Sequence, residues 1–226
     1  MRIPHHPNAA LVSLLARVSG ERRRDVVKRL AHAIVAHPWV YDLVQRLAGR
    51  EQNYNRLAPL MAEAGAGSLL DVGAGTGELA RLVPPGATYI WLDNDPQKLH
   101  GFCAKSAAPR ALLGDVDRMG LRDKSVDVAV CVAVSHHLTD EQLHSTLAEA
   151  SRVCRRRLVF LDAVREDSSP LSKFLWSYDR GSRPRFASVL RSAIAQYFDI
   201  EHEEHYAIYH HYWLCAAKPK ESAAWA

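Results

Sequence analysis

From Ser68 onward the chain alternates between two hydrophobic rhythms. Short apolar runs at Leu69–Val72, Thr88–Asp93, Ala111–Asp115, Val126–Val134 and Leu158–Asp162 read as strands. Between them, apolar residues recur at three- and four-residue spacing over Gly77–Val83, from Pro96 onward, and over Asp140–Val153, which is the helical pattern. Pro84-Pro85-Gly86 stops the first of these helices, Pro96 suits a first helical turn, and Thr139 with Gln142 has capping-box spacing. Repeated strand–helix–strand units imply a parallel sheet with right-handed crossovers. The fourth run is nearly all apolar, as befits a strand covered on both faces.

The two ends depart from that alternation. Helical patterns at Ser169–Tyr178 and Pro184–Tyr197 lead into strands at Ile200–Ala207 and Tyr209–Ala217, whose connection is too short for a crossover and therefore predicts an antiparallel hairpin. Upstream, Asn8–Val18, Arg23–Ala36, Trp39–Ala48 and Asn53–Ala64 all read as amphipathic helices. The predicted architecture is α/β: a doubly wound mixed sheet of seven strands, parallel with a terminal antiparallel hairpin. A helical N-terminal cap spans 1–66, the core 67–218, and a tail 219–226. The first helices read equally as a cap over the mouth of the sheet or as the surface of a homodimer.

Composition changes this picture little. The 226 residues carry a formal net charge of +4, concentrated in Glu21-Arg22-Arg23-Arg24 and Arg155-Arg156-Arg157. No aromatic residues interleave with either run, so both read as solvated faces and no nucleic-acid partner is expected. Cys103, Cys131, Cys154 and Cys215 are scattered without a Cys-x-x-Cys pair, which suits reduced thiols in a cytoplasmic protein. The start of the sequence lacks the apolar core of a signal peptide, and no apolar run approaches membrane-spanning length, so no membrane insertion is expected.

The candidate chemistry collects at the carboxyl ends of the predicted strands. Gly73-x-Gly75-x-Gly77 follows the first, Asp93 ends the second, Asp115 ends the third, and His136-His137 follow the fourth. A glycine turn exposes backbone to a ligand, and a carboxylate after the second strand accepts hydrogen bonds from ribose hydroxyls. A carboxylate at Asp115 is placed to meet an adenine amine. The dinucleotide spacing would put a third glycine where Glu78 stands, and a glutamate there repels a pyrophosphate. No Walker lysine motif is present. The turn suits a ligand without phosphates.

The motifs Asp71-Val-Gly-Ala-Gly-Thr-Gly, Leu92-Asp93-Asn94-Asp95-Pro96, Gly114-Asp115-Val116-Asp117 and His136-His137-Leu138, in that order and with the hairpin, resemble class I S-adenosylmethionine-dependent methyltransferases of the small-molecule type. The likeness covers roughly 41–217. It implies a Rossmann-like fold, S-adenosyl-L-methionine as cofactor, and methyl transfer to oxygen, carbon or nitrogen of a small organic acceptor by in-line displacement. It further implies that Asp71, Gly73 and Gly75 hold the methionine end and that Gly77 begins the helix. Asp93 would bind the ribose, Asn94 lie against the adenine, Asp115 and the Val116 backbone meet the adenine edge, and Val132, Ala133 and His137 lie near the strand end that faces the transferred methyl. Asn94 stands where the family usually has an apolar residue, and Trp91 is bulkier than the strand residue common there.

A general base is needed only where the acceptor must lose a proton. His136 and His137 are the candidate catalytic residues. His202, His205, Tyr206, Tyr209, His210, His211 and Tyr212 form a second group, read as decoration of the hairpin, of which strand alternation lets at most half share a face. No acidic or cysteine set accompanies those histidines, so no metal is expected. Asp162 reads as a pocket residue or a turn cap, and Tyr178–Arg183 as an acceptor wall or an ordinary turn. Two rival functions share these motifs: a cyclase or decarboxylase that uses the sulfonium without transferring methyl, and a non-catalytic cofactor-binding scaffold.

Overall fold

The computed structural model describes residues 49–221 except 64, 66, 108, 168–171, 173–175, 177–182 and 209. The helices expected at Asn8–Val18, Arg23–Ala36 and Trp39–Ala48 lie outside the described residues; within Ser169–Tyr178, Ser172 and Trp176 are described and helical. The chain divides into two units, Met1–Leu47 and Ala48–Ala226. All of the described residues belong to the second unit.

Helix α1 (Arg50–Glu63) leads into β1 (Ser68–Val72), a 3₁₀ helix (Glu78–Leu82), β2 (Thr88–Asp93), α2 (Pro96–Lys105) and β3 (Ala111–Leu113). Then come β4 (Val126–Val132), a 3₁₀ turn (Ser135–His137), α3 (Asp140–Val153), β5 (Cys154–Val164), α4 (Ala187–Tyr197), β6 (Phe198–Ala207) and β7 (His211–Pro219). The seven strands form one sheet in the order β3-β2-β1-β4-β5-β7-β6. β1 to β5 run parallel, and β7 runs antiparallel to both β5 and β6. The strand order reverses between β1 and β4, and ligands of open α/β sheets bind at the carboxyl ends beside such a reversal.

Alternating side chains sort into two apolar layers. Leu70, Val72, Ala129, Phe160 and Trp213 face α3 and α4, meeting Leu143, Leu147, Leu190 and Ile194. Leu69, Val128, Val130, Leu161 and Leu214 face the other way and pack with Leu57 and Met61 of α1. A one-residue slip would exchange the two layers wholesale, so burial on both faces fixes the register. At the amino end of the sheet, the Ser68 N–H and hydroxyl donate to Asp127 Oδ2 at 3.0 and 2.9 Å, which ties β1 to β4. The basic run Arg155–Arg157 lies there too, paired with Asp127, Glu63 and Glu201. Such half-exposed pairs contribute little stability each.

Four expectations need correction. The segment after the glycine turn is a five-residue 3₁₀ helix, because Pro84 and Pro85 leave too few residues and N–H groups for α-helical turns. β3 ends at Leu113, two residues short of Asp115. β4 ends at Val132 because Ala133 adopts a left-handed φ of 56°, which breaks the ladder. β5 begins at Cys154, directly after α3, since the arginines pair along the amino end of the sheet. The capping box on α3 stands as expected, with Thr139 Oγ1 accepting from the Gln142 N–H and Gln142 Oε1 from the Thr139 N–H.

Candidate functional site

The three glycines of the turn have different physical reasons. The N–H groups of Gly73 and Ala74 both donate to the Leu92 carbonyl, at 2.8 and 2.9 Å, folding the turn over the end of β2. Gly73 has φ 72°, and a Cβ there would lie 2.6 Å from Val134 Cγ2. Gly77 has φ 75°, and a Cβ there would meet the Phe102 ring at 2.5 Å. These two are fixed by packing. Gly75 also has positive φ, 54°, but a Cβ on it would meet nothing within 4 Å. Its face opens onto space, and the backbone there is accessible to a ligand.

Trp91 and Asp93 clamp that middle glycine from both sides. The Gly75 N–H donates to Asp93 Oδ2 at 2.8 Å, and Trp91 Nε1 donates to the Gly75 carbonyl at 2.9 Å. The buried Trp91 ring is also stacked with Phe102, 6.0 Å between centroids and 10° between planes. The bulk that sets Trp91 apart is thus what holds the turn. Asp93 is 6 % exposed, and its Oδ1 accepts from the Asp95 N–H at 3.0 Å. Lys98 Nζ lies 3.5 Å from Oδ2. Asn94 donates from Nδ2 to Asp115 Oδ1 at 2.9 Å, so the polar residue at 94 links the two acids expected around the nucleoside. Asp115 and Asn94 are exposed and Val116 is half-buried.

Asp71 lies beneath the turn, 2 % exposed, accepting from the Tyr89 hydroxyl. Burial pushes its carboxyl up to about 7 against the opposing hydrogen bond from Tyr89, and the negative charge of Asp93 adds to the rise.

Beyond β4 the chain turns sharply. Ala133, in the left-handed region, donates its N–H to the Leu161 carbonyl at 2.9 Å, and the 3₁₀ turn that follows brings both histidines to the end of β5. Asp162, buried, gathers that turn. It accepts from Ser135 Oγ at 2.5 Å, from the His136 N–H at 3.2 Å, from His136 Nδ1 at 2.6 Å and from the Ala163 N–H at 2.8 Å. Burial alone would raise this carboxyl, but the His136 ring and these hydrogen bonds hold it below the ordinary aspartate value. His136 is buried and His137 exposed, their ring centroids 4.1 Å apart. Arg185 braces the turn from outside, donating to the Ser135 carbonyl at 2.6 Å, the Leu138 carbonyl at 2.7 Å and Asp140 at 2.7 Å.

Asp93, the glycine turn and the His136–Asp162 pair thus lie at the carboxyl ends of β2, β1, β4 and β5, with Val132 half-buried at the end of β4. The sequence pattern missed Tyr89 and Arg185 as parts of this region and marked Trp91 only for its bulk. Asp162 carried a readable signal, since it ends an apolar run as Asp93 does.

The histidine-rich hairpin divides: the His210 ring lies 4.9 Å from Trp176, which in turn meets His136, while His202, His205 and His211 have other neighbours. His202 pairs with Glu204 at 3.1 Å on the exposed side of β6. His205 and His211, with Tyr206, Tyr212, Arg165 and Phe186, line a cavity of about 270 Å³ beyond the end of β5. Among the described residues no group of three or more His, Cys, Asp or Glu side chains is arranged to hold a metal ion, and no helix is long and apolar enough to cross a membrane.

Comparison with known proteins agrees with the fold. Residues 70–160 match the family model of a methyltransferase domain. An uncharacterized methyltransferase of Mycobacterium tuberculosis is 40% identical over 93 residues, 41% of this chain and 37% of its own length. An uncharacterized methyltransferase of Synechocystis is 31% identical over 133 residues, 55% of this chain and 61% of its own length. The chain thus spans less than two thirds of either relative. Among solved structures, magnesium protoporphyrin IX methyltransferase from Synechocystis with bound S-adenosylhomocysteine superposes with TM-score 0.63 at 15% identity, over 85% of this chain and 100% of that one. An N-methyltransferase from Bradyrhizobium japonicum, also with S-adenosylhomocysteine, gives 0.62 at 14% identity, over 76% and 87% of the two chains.

Proposed function

We propose, from the match of residues 70–160 to the family model of a methyltransferase domain, that this chain binds S-adenosyl-L-methionine and transfers the methyl group to a small organic acceptor that must lose a proton. The observation that carries the cofactor half is Gly75. It combines a left-handed backbone, an N–H held by the Asp93 carboxylate and an open face, while its two neighbouring glycines are fixed by packing. Such a cradle admits a ligand where any side chain would stand in its way.

The residues present fit the group. Asp93 retains acceptor capacity for ribose hydroxyls, since a carboxylate has about four lone-pair sites. Asp115 would meet the adenine amine with Asn94 beside it and the Val116 N–H on the same edge, and Gly73 and Gly75 would receive the methionine end above Asp71. When bound, the cofactor supplies a methyl on a sulfonium whose carbon–sulfur electron pair leaves with sulfur as the acceptor's pair forms the new bond. The protein's own task is then to align the acceptor, exclude water and take a proton.

His136 takes that proton in this reading. Asp162 accepts from its Nδ1, which fixes the ring and assigns the acceptor proton to Nε2. An aspartate that orients and balances a histidine is the arrangement a general base needs. His137, exposed beside it, lines the approach. The test is calorimetric titration with S-adenosylhomocysteine, followed by incubation with S-adenosylmethionine and a panel of hydroxylated and amine acceptors. Stoichiometric S-adenosylhomocysteine with methylated product supports the proposal. Cofactor bound but never consumed points to the non-transferring rivals.

A further inference from the structure

Three buried polar side-chain atoms lack a hydrogen-bond partner among the described residues: Ser125 Oγ, Thr146 Oγ1 and Trp176 Nε1. The two hydroxyls lie away from the candidate site, one just before β4 at the amino end of the sheet and one on α3. Either can also rotate toward a backbone carbonyl. An indole N–H has no such freedom, since it donates along one direction fixed by the ring. Leaving it buried without an acceptor is unfavourable, because the N–H has given up water for nothing.

Trp176 also stands beside the proposed base. Its ring meets His136 edge-on at 5.5 Å and His210 at 4.9 Å. His137 continues the row on one side, 4.1 Å from His136, and Tyr212 on the other, 6.3 Å from His210. The five rings meet tilted or edge-on, 53° to 82° between neighbouring planes, and make an aromatic cluster that favours an aromatic ligand. In its middle sits a buried donor with no acceptor among the described residues.

We propose that Trp176 Nε1 binds an oxygen of the methyl acceptor, and that the acceptor is a flat molecule bearing a carbonyl, carboxylate or hydroxyl oxygen next to the atom that is methylated. Trp176 is then a specificity-determining residue: a site with a buried donor discriminates strongly against analogues that lack the matching acceptor. This assignment rests on the methyl-transfer reading above.

The test uses the full chain, nitrogen-15 labelled and saturated with S-adenosylhomocysteine. The Trp176 indole resonance is identified as the one that disappears in Trp176→Phe, leaving those of the other tryptophans. Phenol, benzoate and para-hydroxybenzoate are then titrated, with toluene as the apolar control. The expected result is a downfield shift of that indole proton with at least one oxygen-bearing probe and not with toluene. Trp176→Phe keeps S-adenosylhomocysteine affinity and binds the active probe about tenfold more weakly. An indole signal unmoved by all three probes, or moved equally by toluene, overturns the assignment while leaving cofactor binding intact. A protein that takes up no S-adenosylhomocysteine removes the methyl-transfer reading itself, and this assignment with it.

Discussion

His136 Nδ1 and Asp162 Oδ1 lie 2.6 Å apart in a buried contact at the ends of β4 and β5, 26 residues apart in sequence. The same carboxylate also holds Ser135 Oγ and the His136 N–H, so it fixes the turn as well as the ring. Asp162→Asn is expected to lower turnover about 100-fold with any acceptor that loses a proton, the range of general-base catalysis. S-adenosylhomocysteine affinity should stay within about threefold, because Asp162 lies outside the cofactor cradle, and calorimetry beside initial rates separates the two effects. Equal losses in both would sink the base assignment.

Asp71 and Asp162 should give the stability–pH curve opposite slopes. The Asp71 carboxyl is raised to about 7 when folded, from 3.8. The folded chain therefore holds an extra proton between those values, and the associated stability is full below the unfolded pKa and lost as pH rises through about 7. Asp162 is held below its ordinary value, so its contribution is present at neutral pH and lost as pH falls through its folded pKa. In urea unfolding, Asp71→Asn is expected to flatten the decline between about pH 4 and 7, on the order of a few kcal/mol. Asp162→Asn should instead flatten the acid limb. An Asp71→Asn curve parallel to the parent's would show that Asp71 is ionised throughout.

Two glycine substitutions should separate packing from ligand access. Gly73→Ala combines a left-handed φ with a Cβ 2.6 Å from Val134, and its expected cost is about 2–4 kcal/mol in denaturant unfolding. Gly75→Ala has the φ penalty alone, about 1–2 kcal/mol. Its methyl enters the open face, so S-adenosylhomocysteine should bind at least about tenfold more weakly, roughly the 1.4 kcal/mol of one decade. Undiminished cofactor affinity in Gly75→Ala would mean that the ligand does not approach this glycine.

Trp91→Phe keeps an aromatic ring against Phe102 but deletes the donor to the Gly75 carbonyl. The lost bond should cost about 1–2 kcal/mol of stability. With the turn held from one side only, cofactor binding should weaken further than stability alone explains, and paired calorimetry and thermal melts would read the difference.

Much of the fold was legible because its signals are local. Strand and helix periodicity, Pro96 at a first turn and the Thr139–Gln142 box each depend on residues within a few positions of one another, and β2, α2 and α3 lie where the pattern puts them. The same locality made the order glycine turn, Asp93, Asp115, His136 readable, since each follows a strand end. Where a competing local term intervened the reading slipped: prolines shortened the first helix to a 3₁₀ turn, and left-handed Ala133 ended β4 early.

The sequence by itself determined the layered α/β architecture and the set of residues at the carboxyl ends of its strands, because burial on both faces of a parallel sheet leaves few alternatives. Only the tertiary structure decided which glycine faces open space and which are pinned by Val134 and Phe102, since that depends on side chains 61 and 25 positions away. It likewise decided that His136 rather than His137 pairs with Asp162, and that Trp91 clamps the turn. Those contacts form between strands that are neighbours in the sheet but distant along the chain, and side-chain direction across such pairs is set by register and packing together.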